Sequence, residues 1–169
     1  YSKYILSIII YSFFWYFETL YSFIFFLIIS AYHFGESQLV DIKLMKKISK
    51  TMYFIWGTVL LSTLFYYNKN ELIQLFYQFE DTKNLNLIFQ NKILEFIFFI
   101  SNFLLVLIFL FLNYIDNLKN KELGTQLFQI LLLHITFYIF PVIISFTLYF
   151  VFLHSLNVLI QEYKYLKQN

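Results

Sequence analysis

The segment AYHFGESQ, residues 31–38, sets a histidine and a carboxylate one helical turn apart at the end of a run of apolar residues. His33 and Glu36 are the first candidates for chemistry, because an ionisable group among apolar neighbours is expensive to keep there. Two more histidines have similar surroundings: His134 inside LLLHITFYIF and His154 inside YFVFLHSLNVLI. The chain has no cysteine, so any metal must rest on nitrogen and oxygen ligands, which favours iron, zinc, manganese or copper held through imidazole. Ligating rings must be deprotonated, so occupancy is expected to fall below about pH 6.

Composition says what must hold these residues. Of 169 residues, 60% are hydrophobic and only 13% charged, more apolar than a soluble domain, which has to cover itself with polar side chains. The chain reads as an all-α, polytopic transmembrane helical bundle, a single integral membrane domain over residues 1–169. A net charge of +2, carried by lysines lying between apolar runs, argues against nucleic acid as a partner.

Apolar runs cover Tyr4 to Phe17, Thr19 to Leu39, Thr51 to Tyr67, Ile93 to Ile115 and Thr125 to Ile160. A crossing takes about 20 residues, so the last run is long enough for two. Pro141 lies near its middle and removes a helical N–H, which predicts a tight hairpin turning near Tyr138 to Pro141 and about six membrane helices in all. Basic residues concentrate in cytoplasmic loops. With the first helix starting inside, Lys3, Lys43, Lys46, Lys47, Lys50, Lys119, Lys121, Lys164 and Lys167 fall on the inner side, and only Lys69, Lys83 and Lys92 on the outer. Both ends of the segment are therefore expected to be cytoplasmic, and the short first run of a chain beginning at Tyr1 leads to the expectation of a further helix upstream. In the long outer connection, Leu72, Leu75, Phe76 and Phe79 follow helical spacing and predict a short helix lying on the membrane surface.

This topology gives the histidines depths. His33 lies eight residues before Asp41 and His154 eight before Glu162, or roughly 12 Å in from the cytoplasmic ends of their helices at the rise of an α-helix. His134 lies twelve residues after Glu122, roughly 18 Å in by the same rise. Facing helices that project ligands inward are how bundles build metal sites. The plain alternative, strongest for His134, is an interior histidine hydrogen-bonded between helices. Gly35 permits close backbone approach beside His33, and Glu36 is placed to orient an imidazole. Ser155 reads as a helix-packing hydroxyl, Glu18 and Glu95 as ordinary helix-end carboxylates, and Tyr66, Tyr67, Tyr114, Tyr163 and Tyr165 as interfacial aromatics.

AYHFGESQ, FIWGTVLLS at residues 54–62 and FPVIISFTLYFVFLHSLNVL at residues 140–159 resemble the Brp/Blh family of β-carotene 15,15′-dioxygenases, membrane enzymes that supply retinal to rhodopsins. The likeness runs along nearly the whole chain. It implies that His33 is the iron ligand of an HFG motif and that His154 is the first histidine of an HSxxxH ligand pair, with Glu36 supporting a ligand. Val158 stands where the second histidine of that pair is expected, and Gln38 where many members carry aspartate. A further family ligand would precede Tyr1, and His134 is a possible substitute ligand. The implied function is Fe(II)-dependent cleavage of β-carotene by O₂ at the central double bond, giving two molecules of retinal. The implied setting is the lipid bilayer of the inner (plasma) membrane, with a functional link to a retinal-binding rhodopsin. The alternative is a non-catalytic carotenoid-binding or other helical membrane protein of the same fold; a histidine-rich di-iron oxygenase needs more clustered histidines than are present.

Overall fold

The structure is a computed structural model describing residues 11–39, 42, 44–90, 92–155, 159, 163, 166 and 167. Among the described residues there is no strand. Residues 11–17 are helical, followed by α1 (Thr19–Leu39), α2 (Lys46–Tyr67), α3 (Lys69–Tyr77), a 3₁₀ segment (Glu80–Leu85) and α4 (Asn86–Gln90). Then come α5 (Ile93–Tyr114), α6 (Asn120–Ile139), α7 (Val142–Leu148) and a π-helical segment, Tyr149–Ser155. The all-helical expectation holds, and α1 has the bounds that its apolar run predicts.

Three of these helices, Thr19–Leu39, Ile48–Tyr67 and Ile93–Tyr114, are long and apolar enough to cross a membrane, and Val142–Ser155 is a shorter apolar helix. The described residues do not reach the expected count of six. Half of the first expected run, residues 4–10, lies outside the described residues, and the other half, residues 11–17, is helical. α6 opens on Asn120, Lys121 and Glu122 and carries Gln126 and Gln129, so its apolar part is shorter than its 20 residues.

The middle of the bundle is α2, half of whose spanning stretch is buried against less than a third for α1 and α5. Met52, Trp56, Val59, Leu60 and Leu64 form its inward side. The outward faces of its neighbours are also apolar: on α5, Ser101, Leu105, Phe109 and Leu112 are buried while Phe96, Phe99, Phe103 and Phe111 are exposed. A helix apolar on both faces suits a hydrocarbon solvent.

Two glycines let α1 lie on α2 with backbones in contact. A Cβ on Gly35 would sit 1.7 Å from the Tyr53 carbonyl oxygen, and one on Gly57 would sit 1.7 Å from that of Ala31. The pairs 35/53 and 31/57 run in opposite directions, so the helices are antiparallel, and each presents a small residue to the other's main chain. In hydrocarbon, where apolar side chains gain little by leaving lipid, such close approach is what holds helices together.

The predicted break at Pro141 is present. α6 ends at Ile139, Phe140 is extended, and α7 starts after Pro141. Groups from elsewhere satisfy the freed backbone: Glu71 of α3 accepts from the Val142 N–H at 2.8 Å, and Asn68 Nδ2 donates to the Phe137 carbonyl at 3.2 Å. The carboxylate also suits the positive end of α7. α6 and the final segment form a hairpin, since Gln129 midway along α6 and His154 at the end of the π-helical segment both reach the C-terminal end of α1.

The outer connection corrects one detail. The predicted short helix is present as α3, with Leu72 buried and Leu75 and Phe76 packed against the core. Phe79 does not join them, because α3 stops at Tyr77 and Phe79 is extended and 63% exposed.

Substituting Gly35→Ala or Gly57→Ala forces α1 and α2 apart and should lower stability by about 1–3 kcal/mol, the usual penalty of overpacking. Gly124, within α6, has open space around its Cα, so Gly124→Ala should be neutral or stabilise by up to about 1 kcal/mol. Thermal melts of the three variants in detergent would check both; equal melting temperatures would remove the backbone contact as a determinant.

Candidate functional site

The residues of AYHFGESQ divide between the faces of α1. Gly35 and Ala31 are spent on α2. His33, Phe34 and Ser37 turn towards the segment Tyr149–Ser155, where His154 is 8% exposed. His33 and Ser37 are four residues apart and share one stripe of the helix. The rings of His33 and His154 lie 5.4 Å apart between centroids at an interplanar angle of 67°. The two histidines singled out in the sequence, 121 positions apart in the chain, are brought together.

Aromatic rings fix His154 from two sides. Phe34 meets it edge-on at 5.3 Å, and Phe150, one turn earlier, lies at 5.2 Å. Ser37 accounts for the ring's proton. Its hydroxyl donates to the Phe34 carbonyl at 3.0 Å and lies 3.0 Å from Nδ1 of His154. With the hydroxyl proton on the carbonyl, the oxygen accepts from Nδ1–H, and the lone pair of His154 is left on Nε2. Orienting a ligating ring through its other nitrogen is how proteins commonly prepare histidine for a metal. Ser37 was not singled out from the sequence, although its position four after His33 on the same stripe was the available signal.

Glu36 takes another place. It is exposed and faces the hydroxyl of Tyr32, and among the described residues no hydrogen bond joins its carboxylate to an imidazole. The supporting contact to a histidine comes from the next residue instead.

Amides near the C-terminal end of α1 tie the neighbouring helices together. Gln38 Nε2 donates to Gln129 Oε1 at 2.7 Å, tying α1 to α6, and Trp56 Nε1 donates to Gln126 Oε1 at 3.2 Å, tying α2 to α6. Gln38 therefore serves α6 in this chain.

His134 lies in a different cluster. The Tyr67 hydroxyl is 3.0 Å from its Nδ1, and its Nε2 is 2.9 Å from Oδ1 of Asn102. Asn102 Nδ2 donates to the Phe98 carbonyl at 2.9 Å, which orients the amide with its oxygen towards His134. The ring thus donates from Nε2 and accepts at Nδ1, so both nitrogens are engaged across α2, α5 and α6. This is the interhelical role of the plain alternative. It gives Tyr67, the last residue of α2, a partner within the bundle.

Imidazole nitrogens about 2.1 Å from one ion set two ring centroids roughly 5 Å apart, and the spacing of His33 and His154 fits that. The donor set is neutral nitrogen, which suits a first-row metal. Among the described residues no group of three histidine, aspartate or glutamate side chains could hold an ion. Val158 lies outside the described residues.

For His134→Ala, loss of two interhelical hydrogen bonds should lower stability by about 1–3 kcal/mol and leave metal content unchanged. Metal analysis beside a thermal melt separates the outcomes, and lost metal at unchanged stability would make His134 a ligand.

The two segments that build this pair are those that carry the family likeness in the sequence. A family model described as beta-carotene 15,15'-dioxygenase matches residues 1–169, while no curated protein and no solved structure matches. With the HFG and HS segments meeting in space and the match running the length of the chain, this protein belongs to the beta-carotene 15,15'-dioxygenase family.

Proposed function

We propose that the chain is an iron(II)-dependent dioxygenase of the inner membrane that cleaves β-carotene at its central 15,15′ double bond. The carbon–carbon double bond breaks and each carbon takes one oxygen atom of O₂, so two molecules of retinal form without an external reductant. The observation that carries this reading is the pairing of His33, on the exposed side of α1, with the buried His154 at 5.4 Å between ring centroids.

His33 and His154 would hold the iron, and neutral imidazoles would leave its charge largely uncompensated. Bound iron(II) would supply a centre with open positions at which O₂ is reduced as the alkene is oxidised. Ser37 keeps the proton of His154 on Nδ1, away from the ion. Phe34 and Phe150 hold the ring in place and keep water from it. A substrate this apolar dissolves in the bilayer, so an enzyme embedded there meets it without drawing it through water, and the product suits a retinal-binding rhodopsin in the same membrane. Val158, where the family motif calls for histidine, favours a second reading in which the chain binds carotenoid without cleaving it.

Expression in a β-carotene-producing bacterium tests both. The wild-type chain should bleach the orange colour and accumulate retinal. His33→Ala and His154→Ala should keep the colour and abolish iron in the purified protein while leaving it inserted in the membrane. Ser37→Ala should weaken iron affinity roughly 10–100-fold, as expected on losing the partner of a ligating histidine. Persistent colour with pigment bound to the wild-type chain would establish the second reading, and full iron content in either histidine variant would refute the ligand pair.

A further inference from the structure

A groove of about 370 Å³ lies between α1, α2, α3 and α7. Its walls are almost entirely apolar, with Phe23 and Phe34 on α1, Phe65 on α2, Phe76 on α3 and Phe146 on α7; Thr147 stands at its edge. Neither histidine lines it, but two of its walls continue into residues that touch His154. Phe34 is shared, because its ring meets His154 edge-on at 5.3 Å. On the other wall Phe146, Phe150 and His154 form a ladder at four-residue spacing, with successive rings 6.1 and 5.2 Å apart and planes within 26° and 32° of each other. The far end meets α3, where Phe76 packs edge-on to Phe23 at 5.8 Å and is backed by Phe89 of α4 at 5.4 Å.

Between Phe23 and Phe34 the groove follows about 16 Å of helix rise. That is close to the length of half a C40 polyene, from its central bond to its terminal ring. Phe146 and Thr147 are exposed on the outer face of the bundle, so the groove opens sideways where an apolar chain would enter from lipid. Ser30 and Thr147 carry the hydroxyls among its lining residues, and Thr147 already spends its proton on the Ile143 carbonyl at 2.8 Å.

We propose that this groove holds one half of a linear C40 polyene and that α3, through Phe76, is the stop that brings the central bond to His33 and His154. The inference rests on the dioxygenase reading for its substrate class and adds the residues that decide where the chain is cut. Flat rings along the walls match a conjugated chain in shape, and their stacking fixes its direction without any polar contact. Cleavage position is then a matter of depth: a shallower stop would present a bond beyond the centre, and a deeper one would let the substrate slide past it.

The test uses the full chain with two variants. Thr147→Trp, at an exposed position, fills the groove; Phe76→Ala lengthens it. Protein purified without oxygen from β-carotene-loaded membranes should retain pigment in the wild-type form and lose at least about five-fold of it in Thr147→Trp, with helicity and iron content unchanged. In air, Phe76→Ala should release aldehydes of unequal length beside retinal, resolved by chromatography. Undiminished pigment in Thr147→Trp, or retinal alone from a folded Phe76→Ala, would overturn the proposal. A wild-type chain that retains pigment, loses it in Thr147→Trp and never cleaves it would keep the groove and refute the dioxygenase.

Discussion

The structure depends on the contact of two backbones. Where α1 crosses α2, Gly35 faces the main chain of Tyr53 and Gly57 that of Ala31, with no room for a single carbon between them. That approach sets the rotation of α1, and the rotation sends His33, Phe34 and Ser37 to the other side, against His154. In a membrane the packing of apolar side chains distinguishes protein from lipid only weakly. Close approach and interhelical hydrogen bonds therefore do the work that core burial does in water.

The polar residues within the bundle are disposed accordingly. Ser62 with Ser101, Trp56 with Gln126, Gln38 with Gln129, and His134 with Tyr67 and Asn102 each join two or three helices. Each such pair satisfies groups that hydrocarbon would leave unsatisfied. Against this background His33 and His154 are distinct. Their rings lie 5.4 Å apart between centroids, one on α1 and one on the final segment, and Ser37 of α1 meets Nδ1 of His154.

Much of this was legible in the sequence. The bounds of α1 and α5 and the break at Pro141 follow from apolar run length and from the missing proline N–H, and the meeting of HFG with the HS segment from the equal depths of His33 and His154 in their helices. Other parts were not legible. Depth alone put His134 in one layer with the other two histidines, but depth says nothing of the direction a ring faces, and Tyr67 and Asn102 come from helices far away in the chain. Glu36 and Ser37 were equally close to His33 along the helix, and charge drew attention to the residue that turned outward. Phe79 kept the helical period of α3 on paper, yet the helix ended two residues before it.

The segment that carries His154 is π-helical from Tyr149 to Ser155. Such a stretch accommodates one residue more per turn than an α-helix and is found chiefly as a local insertion. The direction in which residue 154 points is accordingly a matter of phase. Removing a single residue between 149 and 153 would let the coil tighten to ordinary winding, and the side chains within the segment, residue 154 among them, would take new angles about the axis. The bundle around it would stand, and the ring would look elsewhere.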